Sequence, residues 1–102
     1  MEMRIEWSEL SERQLKDIFD YYSIEVSSKI ARKIINRIID RVSILESQPG
    51  LGQKEELLCH YHLDFRYLVE GNYKIIYWTS ESLITIAAVF DCRQNPEKIK
   101  II

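Results

Sequence analysis

The apolar positions of the chain fall into two helical runs followed by three alternating ones. Met3 to Trp7 alternates apolar with charged residues and predicts a short first strand. Ser8 is placed to cap a helix, and Ser11-x-x-Gln14 has the form of a capping box one turn later. Leu15, Ile18, Phe19 and Tyr22 then follow the i, i+3, i+4, i+7 spacing of one helix face. Ser23 to Ser28 predicts a break. From Val26 the pattern resumes: Ile30, Ile34, Ile38, Val42 and Leu45 make one ridge, which Ala31, Ile35 and Ile39 widen. Lys29, Lys33, Arg37 and Arg41 recur every fourth residue beside it, giving a basic stripe. Gln48-Pro49-Gly50 ends the helix, because the residue before a proline is pushed out of helical geometry.

Leu51 to His62 reads as a connector of mixed polarity. Three strands follow, Leu63–Val69, Tyr73–Thr79 and Leu83–Phe90, separated by Glu70-Gly71-Asn72 and Ser80-Glu81-Ser82. Turns this short join antiparallel neighbours. The expected fold class is therefore α+β, two N-terminal helices packed on an antiparallel β-sheet in the order β-α-α-β-β-β. One sheet face takes both helical ridges. Arg66 points opposite to Phe65 and Tyr67, so it either faces solvent or is buried and paired.

Composition agrees with one domain over residues 1–102. Apolar residues make up 46% and charged residues 29%, as in a globular chain. A core of this size holds without disulfide or metal. No apolar run reaches bilayer length, and the N-terminus lacks the pattern of a signal peptide. Two cysteines, Cys59 and Cys92, in such a chain point to reduced thiols. The expected setting is the cytoplasm. A net charge of -2 does not suit broad docking on phosphates. The segment before Val26 is acidic, and the helix after it is basic.

Candidate chemistry is sparse. Arg66 could bind phosphate or carboxylate with its planar fork, or pair with an acid such as Asp91 or Glu70 and simply order the sheet. Asp91 and Arg93 sit at the sheet rim. Cys59, His60, His62 and Cys92 are zinc-ligand types, but their spacing matches no zinc pattern, so no metal and no cofactor is expected. A Cys–His nucleophilic pair is equally weak. The basic stripe suits nucleic acid or an acidic partner, and otherwise is a solvated flank. Tyr67, Tyr73, Tyr77 and Trp78 are either a stacking platform or core and cross-strand pairs.

Several local signatures share one order. They are Ile5-Glu6-Trp7-Ser8, Leu15-x-x-Ile18-Phe19-x-Tyr21, Leu45 with Pro49-x-x-Gly52, Phe65-Arg66-Tyr67-Leu68-Val69, Tyr73-Lys74-Ile75-Ile76-Tyr77, and Ala88-Val89-Phe90-Asp91-Cys92-Arg93-Gln94-Asn95-Pro96. In that order the chain resembles the RelE/ParE superfamily of bacterial type II toxins, more closely its ParE-like, plasmid-stabilisation branch.

The resemblance implies a growth-inhibiting toxin neutralised by a cognate antitoxin whose mobile segment wraps the helices and sheet. It also implies one of two activities. ParE-like members poison DNA gyrase and are not enzymes. RelE-like members cut messenger RNA on the ribosome without a metal, and there Arg66, Arg93 and Asp91 would be the catalytic candidates, with His60, His62 and Lys54 as a noncognate acid–base set. Asp91 stands where several ribonuclease members carry a histidine, and it repels phosphate. The C-terminal Lys98-Ile99-Lys100-Ile101-Ile102 lacks the tyrosine some ribonuclease members use. Both departures place gyrase inhibition first and messenger cleavage second, with a relic that only binds a partner as a third reading.

Overall fold

A computed structural model describes residues 3–93. The expectations on Gln94-Asn95-Pro96 and on the apolar tail Ile99 to Ile102 lie outside these residues. The elements are β1 (Arg4–Trp7), α1 (Glu9–Glu25), α2 (Ser28–Ser43), β2 (Gln53–Lys54), β3 (Arg66–Glu70), β4 (Tyr73–Ser80) and β5 (Leu83–Asp91), with 3-10 turns at Ile44–Glu46 and Glu56–Leu58. The five strands form one sheet in the order β1-β5-β4-β3-β2. The last three strands form the expected antiparallel meander. β1 alone is parallel, beside β5, because two helices separate it from the meander and return the chain to the same end.

Both helices start on serines. Ser8 Oγ accepts from the Ser11 N–H at 3.1 Å, and Ser27 Oγ from the Ile30 N–H at 3.2 Å. Each fills one of the donors a helix start leaves open. The break between helices is shorter than its composition predicts: α1 runs on through Glu25. The capping box does not form on Ser11. Gln14 instead reaches across to the sheet, where its Oε1 accepts from the Val89 N–H at 2.7 Å.

That contact has a topological cause. β1 ends at Trp7, opposite Ile86, so β5 continues past its neighbour with a bare edge. α1 covers it with side chains: Ser8 Oγ donates to the Ala87 carbonyl at 2.9 Å, and Gln14 takes the Val89 N–H. An edge so occupied cannot recruit a further strand.

The core lies between the helices and one sheet face. Ile38, Val42 and Leu45 pack on Leu68, Tyr73, Ile75, Tyr77, Ile84, Ile86 and Val89. α1 lies over β5 and α2 over β3. The register of β4 and β5 shifts between Ile76 and Tyr77, which pair with Ala88 and Ile86 and leave Ala87 as an extra residue. This bulge reverses the parity of β5. Ile84 and Ile86 face the helices, and beyond the bulge so do Val89 and Asp91. On the other face Leu58 and Phe65 pack on Ile76, Ala87 and Ala88, with Tyr67 and Trp78 at the margin.

Among the described residues no helix is long and apolar enough to cross a membrane.

Candidate functional site

The bulge determines what stands at the end of β5. Without it Asp91 would point away from the helices; with it Asp91 joins Tyr73, its partner across the ladder, under the C-terminal half of α1. There a cleft of about 480 Å³ opens between helix and strand, lined by Gln14, Asp17, Tyr21, Tyr73, Asp91 and Arg93 among others.

Asp91 and Arg93 close on each other within the cleft. Arg93 Nε donates to Asp91 Oδ1 at 2.9 Å and Nη2 to Oδ2 at 2.7 Å, the parallel two-bond geometry of an arginine–carboxylate pair. The Arg93 backbone N–H adds a third bond to Oδ1 at 2.9 Å. The guanidinium holds the Asp91 carboxyl below the usual range, against the smaller effect of burial. The carboxylate in turn raises Arg93, and the Tyr22 hydroxyl beside it adds to this.

Tyr22 and Tyr73 sit at the back of the same site. The Tyr73 hydroxyl donates to that of Tyr22 across 3.5 Å. Burial raises Tyr73, and its role as donor raises it further. Tyr22 is lowered, first by the Tyr73 hydrogen bond and then by Arg93. An anionic Tyr22 is thus favoured relative to Tyr73. The sequence singled out Tyr73 only as part of a stacking platform or a core and cross-strand pair, and Tyr22 not as a site at all. Tyr22 looks like one more core position of α1, and only the register of β4 with β5 brings Tyr73 beside Asp91.

Arg66 lies elsewhere. It is half-buried, pairs with Tyr77 in register, and so stands two strands away from Asp91 and about 13 Å farther along the strand direction. Its Nη1 donates to the Gly52 carbonyl at 3.0 Å, and its Nε lies 3.4 Å from Asp64 Oδ2. The expected pairing acid, Asp91 or Glu70, is replaced by Asp64, which the chain delivers two residues before the arginine. The structure therefore brings Asp91 and Arg93 together and leaves Arg66 apart from them. His62 and Lys54 line a different concavity, which Arg66 also lines.

One charged group escaped the sequence reading. Glu55 is buried, at 3% exposure, and its Oε2 accepts from Lys74 Nζ at 2.8 Å. Its Oε1 takes the Leu57 N–H at 3.1 Å. Lys74 also lies 4.3 Å over the Tyr67 ring. Nothing in the polar run Lys54-Glu55-Glu56 distinguishes the buried acid from its exposed neighbour. Cys59 and Cys92 are free and exposed. Among the described residues no group of His, Cys, Asp and Glu is placed to hold a metal ion.

The family described as ParE toxin of type II toxin-antitoxin system, parDE, matches residues 5–96. The chain belongs to this family. It is the toxin of a type II toxin–antitoxin system. Among curated proteins no relative matches. A solved structure of the chromosomal ParDE toxin–antitoxin system from P. aeruginosa is similar, with a TM-score of 0.72 at 18% identity over 87% of this chain and 95% of that one. At that identity the likeness is one of fold. The match of the ParE toxin family ends at Pro96, so it takes in the Asp91–Arg93 rim.

Proposed function

We propose that this toxin inhibits DNA gyrase as a binding partner rather than a catalyst, in the cytoplasm, and that a cognate antitoxin neutralises it. The observation that carries the reading is the closed Asp91–Arg93 pair with Arg66 two strands away. Cleaving RNA without a metal needs a general base at the 2′-hydroxyl and positive charge on the same phosphate, all within hydrogen-bond reach. Here the rim arginine is already satisfied by a carboxylate that repels phosphate. Lys74, a second cation of the sheet, is tied to buried Glu55.

Antitoxin binding is supported by the second helix. Lys29, Arg32, Lys33 and Arg37 are exposed, and no ion pair among the described residues engages them. Ile30 and Ile39 stand beside them, 38% and 43% exposed. An acidic, amphipathic segment that folds on binding suits such a face. If the product of the adjacent gene does not bind the purified toxin, this part fails.

Expression of the toxin alone under tight control tests the function. Growth arrest with loss of supercoiling and intact messages is expected. Messages cut on translating ribosomes with normal supercoiling would instead establish the endonuclease reading, with Arg66, Arg93 and Asp91 as the residues to substitute first. Normal growth would leave only partner binding.

A further inference from the structure

α1 carries an apolar face that the core does not use. Asp17, Tyr21 and Ile24 follow one another at i, i+4 and i+7, so they share one side of the helix. Tyr21 is 58% exposed and Ile24 81%, and Val26, which caps the helix, is 59% exposed. These are the three most exposed large apolar side chains among the described residues. Tyr21 stands edge-on to Tyr22, with ring centroids 5.1 Å apart, and so lies outside the core that Tyr22 packs against. The C-terminal half of α1 is also acidic. Asp17 and Glu25 take part in no ion pair among the described residues, and the last turn holds no basic residue. The carbonyl end of a helix carries partial negative charge, which a cation offsets.

The described residues end beside this face, since Arg93 lines the same cleft as Asp17 and Tyr21. Beyond it the sequence reads Gln94-Asn95-Pro96-Glu97-Lys98-Ile99-Lys100-Ile101-Ile102, in which lysines alternate with isoleucines. The five residues from Arg93 to Lys98 reach at most about 17 Å. Asp17 and Glu25 lie only about 12 Å apart along the helix, so residues 98–102 have the reach to meet all of this face. The nearest sheet edge is closed to them, because Ser8 and Gln14 occupy β5 beyond the end of β1.

We propose that residues 98–102 of this chain dock along the outer face of α1, with Ile99 and Ile101 on Tyr21 and Ile24 and with Lys98 and Lys100 toward Asp17 and Glu25. In an extended segment the alternation turns both isoleucines to one side and both lysines to the other. The long lysine stems then bend to the carboxylates that flank the apolar face. One contact thereby takes the isoleucines of the segment and the apolar side chains of α1 out of water together, and brings two cations to a helix end that has acids and no base. The docking is independent of the target the toxin acts on. It leaves the basic stripe of α2 open to an antitoxin.

The test is isoleucine-methyl NMR on the full chain. Nuclear Overhauser contacts from the Ile99 or Ile101 methyls to Ile24 and the Tyr21 ring are expected, unchanged on dilution. Limited trypsin digestion reads the same contact through cleavage after Lys98 and Lys100. Ile24→Ser removes one covered side chain and speeds that cleavage about tenfold. Asp17→Lys speeds it about threefold. Cleavage after Arg32 and Lys33, within α2, stays at the parent rate in both variants. Four results would overturn the proposal: no contact between Ile99 or Ile101 and α1, contacts only between differently labelled copies of the chain, equal cleavage after Lys98 in parent and Ile24→Ser, or an equal acceleration after Arg32, which would mean general opening.

Discussion

The hydroxyl of Tyr77 donates to the Pro49 carbonyl at 2.9 Å and accepts from the Gly52 N–H at 2.8 Å. A side chain buried in the centre of the sheet thereby fixes the chain that leaves α2. Arg66, the cross-strand partner of Tyr77, completes the arrangement by donating to the Gly52 carbonyl, so both backbone groups of Gly52 are held by side chains. The approach is close. A Cβ at Gly52 would lie 2.5 Å from Tyr77 Oη and 2.8 Å from the Tyr67 carbonyl oxygen.

Tyr77→Phe leaves the Gly52 N–H and the Pro49 carbonyl without this partner, and is expected to destabilise by about 1–3 kcal/mol. Gly52→Ala forces a methyl against backbone and is expected to cost about 3 kcal/mol. Urea unfolding of both variants measures the difference. If Gly52→Ala is as stable as the parent, the close approach is wrong.

Burial raises the Tyr77 phenol above its ordinary value of 10.0. A group whose proton is held more tightly when folded contributes fully below its unfolded value and loses that contribution as pH rises through the folded one. Stability should therefore fall above pH 10. Tyr73, also raised, adds to the fall, and Tyr22, lowered, opposes it. Tyr77→Phe should flatten the alkaline limb in unfolding curves, and an unchanged limb would show that Tyr77 does not contribute.

Lys74→Met strands the Glu55 carboxylate, whose side chain is 3% exposed. Breaking one side of such a pair is expected to destabilise by about 3–5 kcal/mol. Adding Glu55→Leu removes the orphaned charge and should restore most of the loss. A double-mutant cycle on thermal unfolding reads this directly. Additive effects would mean that the two groups do not interact.

Asp91→Asn opens the rim pair. Arg93 is largely exposed at 55%, so solvent screens the pair and only a small loss of stability at neutral pH is expected. The Asp91 carboxyl is held below its ordinary value of 3.8. Its contribution is present above that value and disappears as pH falls through the lower folded one. Parent and variant should therefore converge in acid. A gap that widens toward low pH would contradict the geometry.

The helices were legible because their signals are local: Ser8 caps the first and the isoleucine ridge of α2 has one period, although Ser27, which caps α2, lay within the stretch read as a break. The meander was legible because Gly71 and Glu81, both at positive φ, sit in two-residue turns between alternating runs. The site was less so. Ala87 carries no mark of a bulge, yet it decides that Asp91 faces Tyr73. Gln14 fits a capping role in sequence, and only the early end of β1 explains its bond to Val89. Arg66 found a carboxylate, as one reading required, but the partner was Asp64, its near neighbour in the chain. The parallel pairing of β1 is likewise set by where the two helices return the chain.

The proposed function is inhibition of gyrase by a toxin without catalytic machinery of its own. Purified toxin added to gyrase and relaxed plasmid tests it most directly, with translating ribosomes and message assayed in parallel. Supercoiling is expected to stop, cleaved plasmid to accumulate and the message to stay whole. Undiminished supercoiling together with messages cut at the ribosome would contradict it.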